Sequence, residues 1–228
     1  MAQPKKTIID ALIISDIHLG DQTTRSDEVL KVLNSYGYQR LILNGDILNG
    51  LQFKRLQTGH WRILSKLREL SKACEVVWVH GNHDAASGIL SSLLGLKVVD
   101  RYVWHSADKK FLAIHGHQYD RFLHDNIIIS RLAFSFYDWL KHHYPEGYII
   151  RQIKKRNRTW KRNSAEVAKG ALRLARSLKA DYVFCGHTHI INTAQAGGIK
   201  YYNTGSWVEK PSGLITITGA EVKLIQID

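Results

Sequence analysis

Five short aliphatic runs in this chain each stop on a cluster of Asp, Asn and His, and that repetition constrains the fold more than any other feature. Ile8 to Ser15 leads into Ser15-Asp16-Ile17-His18, Leu41-Ile42-Leu43 into Asn44-Gly45-Asp46, and Val76-Val77-Trp78-Val79 into Gly81-Asn82-His83-Asp84. Phe111-Leu112-Ala113-Ile114 ends in His115-Gly116-His117, and Tyr182-Val183-Phe184-Cys185 in Gly186-His187-Thr188-His189. Short apolar runs bounded by polar clusters, the first of them rich in β-branched residues, suit strands buried on both faces. Helical stripes lie between them. Thr24 with Asp27 reads as a capping box ahead of Val29, Leu30, Val32 and Leu33, and Ile63, Leu64, Leu67 and Leu70 mark a second helix. Residues 121–179 read as helical, broken near Pro145 and Gly147, after which Lys200–Tyr202, Leu214–Ile217 and Val222–Ile225 return to strands. The pattern predicts an α/β fold: one domain over residues 1–228, carrying a mainly helical insertion at about 121–165.

Composition narrows the setting. Hydrophobic residues make up 44% of the 228, enough for a core and too many for a disordered chain. No window approaches 18 consecutive apolar residues, so no transmembrane helix is expected. The opening Met1-Ala2-Gln3-Pro4-Lys5-Lys6 carries no signal-peptide core, and the expected location is the cytoplasm. Cys74 and Cys185 lack metal-finger spacing and are expected to be reduced and structural. The formal charge of +12 calls for anionic partners: phosphorylated substrates, nucleic acid or an acidic membrane surface. About +7 of it falls between Arg121 and Arg162, where ten Lys and Arg face three acids.

In open α/β sheets, ligands gather at the carboxyl ends of strands, so the five clusters could converge. Imidazole suits Mn, Fe or Zn, and carboxylate or amide oxygen suits harder cations. Three or four His, two Asp and one Asn therefore fit two transition-metal ions sharing a carboxylate. Such a pair, about 3.5–4 Å apart, stabilises the attacking and leaving oxygens of an in-line displacement at phosphorus. A single His is more often a hydrogen-bonded core residue. The ordered set is not so easily dismissed: Gly-Asn-His-Asp or Gly-His-Thr-His would each arise by chance in roughly 0.2% of chains of this composition.

Asp16-Ile17-His18, Gly45-Asp46, Gly81-Asn82-His83-Asp84, His115-Gly116 and Gly186-His187-Thr188-His189 together resemble the five ordered motifs of the calcineurin-like metallophosphoesterases. The resemblance implies a four-layer α-β-β-α sandwich of two mixed sheets. It implies that Asp16, His18, Asp46 and His189 hold one divalent metal ion, and Asp46, Asn82, His115 and His187 the other, with Asp46 bridging. Mn²⁺ is the expected ion, with Fe or Zn as alternatives. A metal-bridging hydroxide would attack phosphorus, and His83, not a ligand, would protonate the leaving oxygen or steady the transition state.

His115-Gly116-His117-Gln118-Tyr119-Asp120, the insertion after it, and Asn203-Thr204-Gly205-Ser206-Trp207-Val208-Glu209 narrow the resemblance to proteins similar to UDP-2,3-diacylglucosamine pyrophosphatase. In that group the insertion is a lid over acyl chains, and the reaction releases UMP and a lipid sugar phosphate. Three positions depart from the pattern. His83 stands where the lipid A enzyme has Arg, and His117 where relatives usually carry Asp. Asn49 occupies a position often held by an acid that orients His83, a task its amide could still perform by hydrogen bonding. Asn82, His117 and Arg121, with Trp139, Lys154 and Lys155 of the insertion, are the expected substrate contacts. Ile127 to Leu140 is nearly all apolar and the run at 151–162 is basic, which suits an acyl tail beside a diphosphate or an anionic membrane. Trp207 would either touch substrate or cap the sheet. The alternatives are a nucleic-acid or cyclic-nucleotide phosphodiesterase and a non-catalytic binding scaffold.

Overall fold

A computed structural model describes residues 6–50, 53–120 and 158–228. In chain order the elements are β1 (Thr7–Ile14), α1 (Ser26–Ser35), β2 (Tyr36–Asn44), α2 (Thr58–Leu70), β3 (Glu75–Val79), α3 (Ser87–Leu94), β4 (Lys97–Val99), β5 (Arg101–Ser106) and β6 (Lys109–Ile114). After them come α4 (Arg158–Ser177), β7 (Tyr182–Cys185), β8 (Ile191–Ala196), β9 (Ile199–Thr204), β10 (Ser212–Thr218) and β11 (Glu221–Ile227). The first sheet has the order β11-β10-β1-β2-β3-β4 and the second β5-β6-β7-β9-β8. Strands β1 to β4 run parallel, as do β6, β7 and β9, while β5, β8, β10 and β11 pair antiparallel with their neighbours. Both sheets are mixed, as the family resemblance implies.

The side-chain alternation of each strand assigns the layers. Leu41 and Leu43 of β2, with Val76 and Trp78 of β3, face α1 and α2. Ile42, Val77 and Val79 point the other way, into a core shared with Phe111, Tyr182 and Phe184 of the second sheet. Register pairs Trp104 with Phe111, Phe111 with Tyr182, and Phe184 with Tyr202. The first two pairs stack with ring centroids 5.3 and 5.1 Å apart, the third is tilted at 5.9 Å, and together they give the inter-sheet core an aromatic ladder. On the far side, Leu112, Ile114 and Val183 pack against Ala168, Ala171 and Ala175 of α4. The result is the four-layer helix–sheet–sheet–helix sandwich.

One local reading is corrected. Thr24 does not cap α1: the helix starts at Ser26 with Arg25 as N-cap and no side-chain cap. The Thr24 hydroxyl instead donates to the carbonyls of Ile17 and His18, closing the turn that carries His18. Trp207 is fully buried in the first core, and its backbone N–H donates to the Asp16 carbonyl, so it supports the site from behind and cannot touch substrate. The end of the stretch read as helical at 121–179 is a helix, Arg158–Ser177, which buries Val167, Ala168, Ala171 and Ala175. Lys161 and Arg162 lie exposed on its first turns. Arg121, Trp139, Lys154 and Lys155, and with them the lid reading, lie outside the described residues. Among the described residues no helix is long and apolar enough to cross a membrane. Both cysteines are free thiols.

Candidate metal centre

The parallel strands β1, β2 and β3 of one sheet and β6 and β7 of the other release their polar clusters at a common edge. Hydrogen bonds between the sheets draw that edge together. Ser15 Oγ lies 2.6 Å from Thr204 Oγ1, Asn44 Nδ2 donates to the Phe184 carbonyl, and the His187 backbone N–H donates to the Asp16 carboxylate at 3.0 Å. Gly81 and Gly186 permit the close approach. A Cβ at Gly81 would strike the backbone N and carboxylate of Asp46, and one at Gly186 the carboxylate of Asp16.

Two groups of candidate ligands result: Asp16, His18 and His189, and Asp46, His115 and His187. Within the first, His189 Nε2 is 3.2 Å from Asp16 Oδ1 and His18 Nε2 is 3.0 Å from His189 Nε2. Within the second, His115 Nε2 is 3.2 Å from Asp46 Oδ2. The same Asp46 oxygen lies 3.9 Å from His18 Nε2, between the two groups. Five of these six residues, all but His115, have positive φ, from 51° to 68°. Such backbone costs of order 1–3 kcal/mol per residue and is retained where a site demands it, although Asp and His tolerate it better than most.

The donor chemistry fits metal ions. His115 Nδ1 is 3.0 Å from the Asn44 carbonyl and must donate to it, so in the neutral ring Nε2 carries the lone pair. That buried Nε2 lies 3.2 Å from a buried carboxylate oxygen, an arrangement that calls for positive charge, supplied either by a proton on the ring or by a metal ion held by both groups. The electrostatics state the same demand. Burial alone would hold His115 neutral, but Asp46 and Asp16 outweigh it and push its pKa up to about 10. Burial, with Asp46 nearby, pushes Asp16 up to about 8 against the pull of His115. Burial also opposes ionisation of Asp46, yet His115, His18 and His83 hold it well below the usual carboxylate range.

The remaining candidates lie around this centre. His83 is half-buried with its ring 5.0 Å from that of His18, and its Nδ1 lies 3.2 Å from Asn49 Oδ1, so Asn49 orients it. Asn82 is exposed in the turn between Gly81 and His83. His117 sits beside His115 and His187, with ring centroids 5.5 and 6.3 Å away. Its Nδ1 is buried without a partner, and burial and the positive field of His115 and His187 push its pKa down to about 4.

Several supporting residues had no role in the sequence reading. The Asp84 carboxylate accepts the backbone N–H groups of Asp46, Ile47, Leu48 and Gly81 and the Trp78 indole N–H, fastening two ligand loops together. Asn203 Nδ2 donates to the Gly186 carbonyl at 2.6 Å and holds the turn that carries His187. Trp160 Nε1 donates to the Thr188 carbonyl, and Asp120 accepts from His187. Asp84, Asp120 and Asn203 each stand in a segment that the sequence singles out, but what each of them holds, like the reach of Trp160, depends on tertiary approach.

Solved structures with similar folds span nearly the whole chain. A novel archaeal phosphodiesterase is 14% identical with a TM-score of 0.54, covering 95% of this chain and 99% of its own. A single mutant of Vps29 from Entamoeba histolytica is 20% identical with a TM-score of 0.51, covering 96% and 98%. Vacuolar Protein Sorting 29 from Cryptosporidium parvum is 14% identical with a TM-score of 0.51, covering 96% of each chain. Among curated proteins none matches the sequence. The calcineurin-like phosphoesterase family model matches residues 9–190, which include every candidate ligand, and the chain belongs to that family.

Proposed function

We propose that the chain is a dinuclear-metal phosphoesterase that hydrolyses a phosphodiester or phosphoanhydride. The observation that carries this reading is the placement of Asp46 Oδ2 between His18 and His115, one from each ligand group. Asp16, His18, Asp46 and His189 would hold one divalent ion, and Asp46, Asn82, His115 and His187 the other. When bound, such a pair supplies Lewis-acid stabilisation and a strong nucleophile at neutral pH. The chain's own residues then divide the rest of the work. Asp46 screens the buried imidazoles of both groups from one another. Asn49 accepts the Nδ1–H of His83 and so fixes the ring, with Nε2 as the nitrogen that would serve a leaving oxygen. His117, kept neutral by its surroundings, offers a hydrogen bond without adding charge.

For the substrate we favour a UDP-2,3-diacylglucosamine-type pyrophosphate, met in the cytoplasm at an anionic membrane face, with Mn²⁺ as metal. The support is in the sequence: the His115–Asp120 and Asn203–Glu209 segments, and the apolar stretch 127–140 followed by the basic run 151–162. The test is a Mn²⁺-supplemented panel of UDP-diacylglucosamine, UDP-sugars, dinucleotide polyphosphates, cyclic nucleotides, single-stranded DNA and an aryl phosphate diester. Preference for the lipid-linked pyrophosphate supports this assignment. Faster, steeply salt-dependent cleavage of DNA would replace it with a nuclease, and no hydrolysis of any member would leave a binding scaffold.

A further inference from the structure

Asp120 is a buried carboxylate to which the sequence assigns no role, and it sits between a candidate ligand and a helix. Its Oδ2 accepts from His187 Nε2 at 2.8 Å and from Asn163 Nδ2 at 2.7 Å. Only 5% of Asp120 is accessible. Asn163 lies on the first turns of α4, which packs closely on the turn from His117 to Tyr119: a Cβ at Gly170 would strike the Tyr119 ring. Three residues earlier on the helix, Trp160 Nε1 donates at 2.9 Å to the carbonyl of Thr188, between His187 and His189. The start of α4 thus grips the Gly186–His189 turn twice, once directly and once through Asp120.

We propose that Asp120 is the positioning residue for the second metal, fixing His187 as the Nε2–H tautomer and leaving Nδ1 as the nitrogen turned toward Asp46 and His115, with Asn163 holding Asp120 in place. The inference rests on the dinuclear reading above. A carboxylate on the remote nitrogen of a ligating imidazole sets the tautomer, holds the ring plane and raises the basicity of the ligating nitrogen. Without it the ring could turn or shift its proton to Nδ1, and either change removes the lone pair from the site. In the first group, by contrast, His189 meets both Asp16 and His18 through its own Nε2.

The experiment titrates Mn²⁺ into metal-free wild type, Asp120→Ala, Asp120→Asn and Asn163→Ala by calorimetry, alongside ¹⁵N-histidine NMR of the metal-free proteins. Asp120→Ala should weaken one of the two binding events about 10- to 100-fold and leave the other within about 2-fold. Asp120→Asn, whose amide oxygen still accepts but without charge, should fall between, and Asn163→Ala should cost less than either Asp120 variant. The His187 ring should be a single Nε2–H tautomer in wild type and a mixture in Asp120→Ala. If Asp120→Ala fails to fold, Asp120→Asn decides alone, because it preserves size and shape. Two wild-type affinities in a variant, equal loss of both ions, or an unchanged tautomer would overturn the role of Asp120 while leaving the dinuclear centre standing. A wild-type protein that binds no Mn²⁺ would overturn both.

Discussion

The Asp46 carboxylate stands 3.2 Å from Nε2 of His115, joining the end of a parallel strand in one sheet to the end of a parallel strand in the other. Asp46 is 1% accessible and His115 not at all, so neither group has bulk water to carry its charge. Their contact is where the sandwich, the ligand groups and the electrostatics meet.

Asp46 serves both groups, and its loss should cost both ions. Asp46→Ala should retain well under about one Mn²⁺ per chain after dialysis, whereas His189→Ala should retain about one, because it strips only the first group. Elemental analysis of folded protein checks this. Retention of two ions by Asp46→Ala would remove it from the bridging position.

His83 should matter for turnover and not for metal. His83→Ala is expected to keep its metal content and lose about 10²–10⁴-fold in turnover, the usual range for general acid–base help. Asn49→Ala should lose less, since it only orients the ring. Parallel loss of metal and activity in His83→Ala would make His83 a ligand.

Metal binding should release protons. In the metal-free protein His115 titrates near 10 and Asp16 near 8, so at neutral pH both hold protons that a metal must displace. Affinity should therefore rise as pH rises from about 6 to 8, and calorimetry in buffers of different ionisation enthalpy should show net proton release. Affinity independent of pH would contradict the assignment.

His60 supplies a test of stability away from the metals. Its Nδ1 accepts the backbone N–H groups of Gly20 and Gln57, and burial lowers its pKa below the usual 6.5 despite Asp21. Above 6.5 neither the folded nor the unfolded state holds this proton. As pH falls below 6.5 the unfolded chain takes it up first, so stability drops until the folded value is passed. Urea denaturation should show wild type losing stability from about pH 7.5 to 5.5. His60→Ala should be about 1–3 kcal/mol less stable at the upper pH, with two N–H groups left unpaired, and show a flatter slope.

Much of the fold is legible because both-face burial produces unmistakable apolar runs, as at Tyr182–Cys185, where the expected strand and the observed one coincide. The elements that escape have no such pattern. β4 is three residues long, and β8, Ile191–Ala196, is a half-exposed edge strand of mixed polarity. β5 does alternate, with Tyr102 and Trp104 inward, but its outward residues dilute the signal. For the site, residue type and order identify the ligands because metal chemistry restricts both. The residues that hold them are not restricted in this way. Asn203 and Asp120 act through bonds made only after distant segments meet, and Thr24, whose spacing to Asp27 suggests a cap, is claimed by the carbonyls of the turn at His18.

The most direct test of the dinuclear phosphoesterase account is turnover of an aryl phosphate diester as Mn²⁺ is added stepwise to metal-free protein, with bound metal measured at each point. Activity should stay low through the first bound equivalent, rise with the second and level off at about two per chain, and EDTA should abolish it. Two ions bound without hydrolysis, or hydrolysis that persists without metal, would contradict it.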